Sequence, residues 1–254
     1  MVEWLFRTYS GRWARTLLHY LDAHVDVIRG PEDVRRILDG KPGDRNLNLA
    51  VRALLRWLRE ECLAEELAEW LRRGLRPIPK VGVDLRRPRE EDIIGLLRAV
   101  RGERYEALVH LLLDSGARIS DALRALDGLD RAVEVRPGIF KIPVGRLMGP
   151  KRCFWCYCTG ETLEAVKRMP RPSYNAIIMW HKKRRFMPLK LVRKFAYTQM
   201  RRCGIYPEVA RFLQGRVQGI SEECYEDLEL LADEQYPRYA AYVRGLRACV
   251  LGYA

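Results

Sequence analysis

Residues 132–158 have a hydrophobic pattern that differs from the rest of the chain. Their apolar residues recur at every second position in the runs VEV, GIFKIPV and RCFWCYC, an alternation that is typical of β-strands. Segments 136–138 and 148–151 supply Gly and Pro for turns between these runs. We therefore predict a chain that is mainly α-helical with a small antiparallel β-sheet, an α+β fold.

The segment 76–88 is the clearest break in the chain. Its sequence, RPIPKVGVDLRRP, carries three Pro and a Gly and cannot run as a helix. Before it, we predict four or so short helices, two of which end at Gly40 and Gly74. After it, helical periodicity returns on both sides of the sheet. A chain of 254 residues is long enough for two domains, which we place at 1–75 and 89–254.

The chain is strongly basic, with 46 Lys and Arg against 33 Asp and Glu and a net charge of +13. This excess favours a polyanionic partner, nucleic acid first and an anionic membrane surface second. The preference for Arg over Lys suits bidentate phosphate contacts, and the base composition of a GC-rich genome explains it equally well. The helical domain at 1–75 is therefore either a DNA-binding domain or a plain structural domain.

The sequence also argues against membrane and metal sites. No run of about 18 apolar residues is present and the first residues lack a signal-peptide core, so we expect a cytoplasmic protein with no membrane segment. The seven Cys include Cys153, Cys156 and Cys158. We expect no zinc there, because they lie in a predicted strand and no His pair completes four ligands.

A cation-rich stretch has the sequence KLVRKFAYTQMRRCGIYPEVARFLQGRVQGISEECY. Its Lys190 and Arg193 are one helical turn apart. Gly215 is a predicted helix stop that leaves Arg216 beside a turn. Tyr225 is expected in a further helix with acidic residues in its first turn. Cations around one Tyr suit phosphate chemistry, either catalytic or as passive phosphate binding.

Two upstream cations extend this pattern. Arg118 follows a break at Gly116 and precedes Ser120 and Asp121, which are good residues to start the next helix. At that turn, Arg118 is either the partner of a nearby Asp or a phosphate ligand. Lys151 is predicted at the tip of the last hairpin, where a long cationic side chain is either a solvated turn residue or a contact to a ligand.

These motifs, taken in order, resemble the tyrosine recombinase (phage-type integrase) family. GARISDAL is similar to its first Arg motif, and KLVRKFAYTQM to its His-x-x-Arg box with Lys190 in place of the His. FLQGR is similar to Leu-Gly-His with Arg216 in place of that His. Both replacements are familiar in integrases of archaeal viruses and plasmids, which the chain resembles most closely. The resemblance covers roughly residues 45–245 and is strongest after Arg118.

The resemblance implies a core-binding DNA-binding domain at 1–75, a linker at 76–88 and a catalytic domain at 89–254 with a C-terminal helical tail. It implies a site-specific DNA recombinase that acts through a covalent 3′-phosphotyrosine, needs neither metal nor cofactor, and works as a homo-tetramer on paired sites in double-stranded DNA. The implied catalytic residues are Arg118, Lys151, Lys190, Arg193, Arg216 and Tyr225.

The residue types fit this reaction. Arg118, Arg193 and Arg216 are suited to stabilise charge on the phosphate oxygens, and Lys151 to protonate the leaving 5′ oxygen. Tyr225 is the nucleophile, and Lys190 is either its base or a phosphate donor. Two alternatives remain open: a type IB topoisomerase-like enzyme that relaxes DNA, and a DNA-binding protein whose site is degenerate because both His are missing. When bound to DNA, the protein would be associated with the nucleoid.

Other residues compete for these roles. His181 and Arg184 form a second His-x-x-Arg match, but no suitable Gly-Arg or Tyr follows it, so we assign it to a DNA-contacting surface or to solvated charge. Five other Tyr compete as nucleophile, namely Tyr197, Tyr206, Tyr236, Tyr239 and Tyr242. The last three recur at helical spacing, which favours a packing face on the last helix.

Overall fold

The computed structural model describes residues 1–79, 84–146, 152–216 and 222–251. Within these residues the chain is mainly helical and contains a three-stranded antiparallel sheet, so the predicted α+β class is confirmed. The chain divides into two compact units, Met1–Asp84 and Leu85–Ala254. No helix in the described ranges is both long enough and apolar enough to cross a membrane.

The first unit contains five short helices within its described residues. They are α1 (Val2–Thr8), α2 (Gly11–His24), α3 (Pro31–Asp39), α4 (Arg45–Glu60) and α5 (Glu65–Arg72). α4 begins after Asp44, whose carboxylate accepts hydrogen bonds from the backbone N–H groups of Asn46 and Leu47. α1 adds a fifth helix to the four or so that the sequence predicts, and its Trp4 and Leu5 are buried against α2 and α4.

The second unit surrounds one large apolar core. Its helices are α6 (Glu90–Val100), α7 (Glu106–Ser115), α8 (Ile119–Ala125), α9 (Gly160–Arg168), α10 (Tyr174–Arg184), α11 (Leu189–Arg202), α12 (Pro207–Leu213) and α13 (Glu222–Leu251). A short 3-10 helix, Leu126–Arg131, leads from α8 into the sheet. α7 is the central helix, because seven of its ten residues are buried, and the loop that follows it carries Arg118.

The sheet consists of β1 (Val133–Arg136), β2 (Ile139–Arg146) and β3 (Cys153–Thr159) in the order β1-β2-β3. In the β2–β3 pair, Lys141 lies opposite Tyr157 and Ile142 opposite Cys156. Residues of both faces of β3 are buried, including Cys156, Tyr157 and Cys158. The strand therefore lies inside the unit, with α7 and α8 among its neighbours on one side and α13 on the other.

α13 corrects one expectation from the sequence. We expect Tyr225 and the face of Tyr236, Tyr239 and Tyr242 on successive helices, but the structure places them on one continuous helix of 30 residues that passes through Pro237. An interior Pro costs about 3 kcal/mol or more. Complete burial of Tyr236 and Tyr239 in the core offsets that cost, since each large buried side chain contributes about 2 kcal/mol. The predicted packing face is confirmed.

Candidate active site

Arg118 lies at the turn between α7 and α8, as predicted. Gly116 ends α7 in the left-handed conformation, with φ of 58°. A Cβ on Gly116 would lie 2.4 Å from Nε2 of Gln214, so a side chain cannot fit at this position. Arg118 occupies the N-cap position of α8, which begins at Ile119. The N-cap is thus two residues before Ser120, the first of the two residues expected to start this helix.

The Arg118 guanidinium is held from two sides through one nitrogen. Nη1 donates to the backbone carbonyl oxygen of Gly215 at 2.8 Å and to the buried carboxylate of Asp121 at 3.2 Å. About 28% of the side chain remains exposed. Both roles considered from the sequence are therefore compatible with the geometry: Arg118 pairs with an Asp and still reaches the surface, where a phosphate can contact it.

Arg193 joins α11 to the ends of two other helices. Its Nη1 donates to the carbonyl oxygens of Gly116 at 2.9 Å and Gln214 at 2.7 Å. Gln214, which is fully buried, donates back from Nε2 to the carbonyl oxygen of Arg193 at 2.8 Å. Burial and the nearby charges of Arg216 and Arg118 lower the pKa of Arg193 to about 9.

Arg216 lies just after the turn that ends α12. Gly215 has φ of 63°, and a Cβ there would lie 2.7 Å from the Cβ of Cys153 at the start of β3. The predicted helix stop at Gly215 is thus confirmed. The Arg216 guanidinium lies 5.4 Å from the ring centroid of Tyr197. Loss of hydration, followed by the charge of Arg118, lowers its pKa.

The structure therefore brings Arg118, Arg193 and Arg216 together around Gly215. After burial, the charges of Arg216 and Arg118 are the next causes that lower the pKa of Arg193, and the charge of Arg118 is the next cause for Arg216, so the three positive charges repel one another. Asp121 contacts this cluster through Arg118. Its single negative charge is smaller than the charge of the three guanidinium groups, so the cluster keeps an excess of positive charge. Such a cluster is preorganised to bind an anion with several oxygens, such as a phosphodiester.

The structure describes the other three predicted site residues less completely. Lys190 is exposed in the first turn of α11, one turn before Arg193. Lys151 lies outside the described residues, two positions before β3 begins at Cys153. Tyr225 lies near the start of α13, and its side chain is outside what the structure describes.

Sequence reasoning missed the part that Gln214 plays. This side chain is completely buried and links Arg193 to the end of α12. The available signal is its position in VARFLQG, where a polar residue follows an apolar run directly before the helix stop. A buried amide is costly unless it is hydrogen-bonded, which explains why it contacts the backbone of α11.

The competing residues have other contacts. His181 Nε2 lies 2.8 Å from the carbonyl oxygen of Met187, and Arg184 pairs with Glu103 at 2.9 Å. These contacts place the second His-x-x-Arg match at the end of α10, and none of them involves the arginine cluster. The match remains assigned to surface or DNA-contacting charge.

Three of the competing Tyr are structural. Tyr236 and Tyr239 donate their hydroxyl groups to the carbonyl oxygens of Asp114 and Leu113 at 3.2 and 2.7 Å, and Tyr242 donates to Glu90 at 2.6 Å. Tyr206 is 58% exposed, and its backbone N–H donates to Gln235. Tyr197, beneath Arg216, is the competitor that touches the cluster.

The cysteines of β3 are buried thiols. Burial raises the pKa of Cys156 and holds that of Cys158 well above its usual value. In the parts of the chain that the structure describes, no group of three or more His, Cys, Asp or Glu is arranged to hold a metal ion. The cysteine cluster therefore packs the core beside Asp114 and Asp121.

Comparison with known proteins supports the family resemblance of the sequence motifs. The model of the archaeal phage integrase family matches residues 86–242, which is more than half of the chain and includes all six predicted site residues. A comparison with curated proteins gave no significant match. Because the family match spans the second unit from the segment before α6 to the middle of α13, the chain belongs to the archaeal phage integrase family.

Proposed function

We propose that the chain is a site-specific DNA recombinase that cleaves and rejoins duplex DNA through a covalent 3′-phosphotyrosine formed by Tyr225. Membership of the family implies an integrase that binds DNA. The observation that supports the finer chemistry is the convergence of Arg118, Arg193 and Arg216 on Gly215 from three separate parts of the sequence.

The arginine cluster would stabilise the transition state. Attack on a phosphodiester places negative charge on the two nonbridging oxygens, and fixed guanidinium groups next to those oxygens lower the barrier. Without DNA, the three guanidinium groups repel one another, as the lowered pKa values of Arg193 and Arg216 indicate. A pentavalent phosphate with extra charge relieves this repulsion most, so the cluster favours the transition state over the uncut DNA.

The proton transfers would involve Tyr225, Lys190 and Lys151. The Tyr225 oxygen attacks phosphorus and gives up its proton, either to Lys190 or to water, with Lys190 otherwise donating to the phosphate. The bond from phosphorus to the 5′ oxygen breaks, and Lys151 supplies a proton to that oxygen. The reverse sequence rejoins the strand, because the phosphotyrosine bond retains the free energy of the diester. The cycle therefore balances without ATP, a metal ion or another cofactor.

The remaining parts of the proposal concern assembly. The helical unit before the linker at 76–88 would bind duplex DNA through its basic surface, with affinity that falls as salt rises. Recombination joins two DNA sites and requires four strand cuts, so we propose a homo-tetramer on paired sites. The protein would act in the cytoplasm, on the DNA of the nucleoid.

A nicked duplex tests the chemistry. In such a substrate, cleavage releases a short oligonucleotide that carries the free 5′ hydroxyl, so that the covalent protein–DNA complex cannot reseal and accumulates. Wild-type protein should form this complex in the presence of EDTA. Tyr225→Phe should retain DNA binding and form none, whereas Tyr197→Phe should still form it. Failure of the wild type to form any complex would leave a degenerate DNA-binding protein as the better description.

Strand exchange separates a recombinase from a topoisomerase. Both enzymes form the covalent complex, but only a recombinase joins strands from two different sites. Two labelled duplexes with the recognition sequence should yield hybrid products, and supercoiled plasmid without that sequence should not be relaxed. Relaxation of any plasmid with no hybrid product would establish the type IB topoisomerase-like alternative.

A further inference from the structure

A partly buried polar cluster links the sheet to α13 near Tyr225. Lys141 of β2, only 8% exposed, donates from Nζ to Glu229 at 2.5 Å and to Asp233 at 2.8 Å. Trp155 of β3 donates from Nε1 to the other Glu229 oxygen at 2.7 Å, and the Tyr157 hydroxyl donates to the other Asp233 oxygen. All four oxygens of the two carboxylates are therefore bound by groups of the hairpin β2–β3.

The geometry of the hairpin explains this arrangement. Lys141 lies opposite Tyr157 in the register, and Trp155 is two residues before Tyr157 on the same strand. The three side chains consequently share one face of the sheet. The ammonium group of Lys141 also lies 5.1 Å from the ring centroid of Trp155. The three donors therefore lie side by side on the face of the hairpin that meets α13.

Glu229 and Asp233 are four residues apart, so they lie on the same side of α13. Tyr225 is a further four residues toward the start of the helix, which places it about 6 Å along the axis from Glu229. Among the described residues, Glu229 is the first acidic residue of α13 with a side-chain contact to the sheet. The cluster is therefore the nearest described polar attachment of the helix that carries the proposed nucleophile.

The chemistry of the cluster indicates a role beyond holding α13 against the sheet. Lys141 is nearly buried and the side chains of Glu229 and Asp233 keep 32% and 19% of their exposure. Even partial removal of these charges from water is costly, and apolar side chains would hold a helix to a sheet at least as strongly. Burial alone would lower the pKa of Lys141, but the hydrogen bonds that it donates to Asp233 and Glu229 outweigh burial and raise that pKa. Four directional hydrogen bonds fix both the rotation and the axial position of the helix, because a rotation of the helix or a slide by part of a turn would move both carboxylates away from their donors.

The hairpin also carries parts of the site at its other end. β3 begins at Cys153, against which Gly215 packs, and the Gly215 carbonyl oxygen accepts the hydrogen bond from Arg118. Lys151, which lies outside the described residues, precedes Cys153 by two positions in the sequence. One rigid hairpin therefore contacts the arginine turn through Cys153 and α13 through Lys141, Trp155 and Tyr157.

We propose that the cluster of Lys141, Glu229 and Asp233 is a positioning device that sets the rotation and depth of the Tyr225 segment relative to the arginine cluster. This inference rests on the proposed function. Its residues touch no DNA in the mechanism above, so they are positioning residues. Asp233→Asn and Glu229→Gln should slow single-turnover cleavage of the nicked duplex by about 10- to 100-fold, the loss expected when a reacting group is displaced by roughly 1 Å, with the Kd for DNA unchanged.

Two controls separate positioning from loss of folding. Glu234→Gln removes an exposed acidic residue next to Asp233 on the same helix and should cleave like the wild type. Val166→Ala opens a cavity in the core on α9 and should lower Tm with little loss of cleavage rate. If Val166→Ala slows cleavage as much as the cluster variants at the same loss of Tm, the cluster is merely structural and the proposal is wrong.

A modified substrate identifies which group is positioned. A bridging sulfur in place of the 5′ oxygen leaves as a thiolate, which needs no proton because a thiol has a reference pKa of about 8.5. If the cluster positions Tyr225, its variants should remain slow on this substrate. Full recovery of the rate would show that the cluster acts on Lys151 instead, and wild-type rates on both substrates would overturn the proposal outright. A wild type that forms no covalent complex would contradict the proposed function itself.

Discussion

Nη1 of Arg118 donates to the carbonyl oxygen of Gly215 at 2.8 Å and so joins positions 97 residues apart in the sequence. The bond connects the start of α8 with the turn after α12, and Arg216 follows directly. Because Gly215 also packs against Cys153, a change at this one residue reaches both the arginine cluster and the start of β3.

We expect Gly215→Ala to destabilise the second unit. A non-Gly residue at positive φ costs about 1–2 kcal/mol, and the contact with the Cβ of Cys153 adds the cost of displacing β3. A total near 3 kcal/mol would lower Tm by roughly 6–12 °C in a unit of this size. Gly145→Ala is the matched control, because Gly145 has φ of 59° and nothing within 4 Å of a Cβ. Equal Tm losses in the two variants would show that the close contact is absent.

Arg216→Gln should separate stability from activity. Removing one of three repelling charges relieves the cluster, so we expect Tm without DNA to stay the same or rise. Cleavage should fall by about 10²- to 10³-fold, as for loss of one transition-state donor. Arg98→Gln, an exposed position on α6, provides a charge-matched control for Tm and cleavage. A large loss of Tm in Arg216→Gln would mean that this residue holds the fold together.

The pKa of Arg193 predicts a pH dependence. Its folded value of about 9 lies below the ordinary value for Arg, so the unfolded chain binds more protons above pH 9 and this residue makes stability rise with pH in that range. Below pH 9, the charged residue weakens the fold and favours anion binding. Inorganic phosphate should therefore raise Tm strongly at pH 7.5 and less above pH 9. An equal rise of Tm with phosphate at pH 7.5 and pH 10 would contradict the lowered pKa of Arg193. The same would follow if Arg193→Gln left the pH dependence of the phosphate effect unchanged.

The far end of α13 should be essential for folding. Arg247 is 9% exposed and donates to the buried carboxylate of Asp114 at 2.5 Å, and Asp114 also accepts from the Thr159 backbone N–H at 3.0 Å. Arg247→Met leaves the carboxylate without its cation, which costs about 3–5 kcal/mol. Thermal unfolding measures this loss. Arg238→Met, on an exposed part of the same helix, should change Tm little, and equal behaviour of the two variants would mean that this segment is a loosely attached tail.

The sequence predicts the parts of the site that depend on local pattern. The alternation around β2 and β3, the stop at Gly215 and the turn at Arg118 each follow from a few neighbouring residues, and the structure confirms them. The order of the motifs also identifies the family. Local rules suffice here because strand period, glycine conformation and helix starts are properties of short segments.

Other features depend on contacts between distant segments. The continuity of α13 through Pro237 follows from the burial of Tyr236 and Tyr239 against α7, which no local propensity encodes. From the sequence alone, Lys141 cannot be distinguished from any other Lys in a strand. Its contacts with Glu229 and Asp233 form only when α13 packs against the sheet. The burial and the neighbouring positive charges that lower the pKa of Arg193 likewise arise only when the chain is folded.

The identity of the nucleophile is the central claim, and one measurement tests it directly. The covalent complex from the nicked duplex can be digested with trypsin and nuclease, and the peptide that retains a nucleotide can be sequenced by mass spectrometry. We predict that the nucleotide is linked through a 3′ phosphate to Tyr225. Linkage to Tyr197, which lies beneath Arg216, or to any other residue would contradict the account.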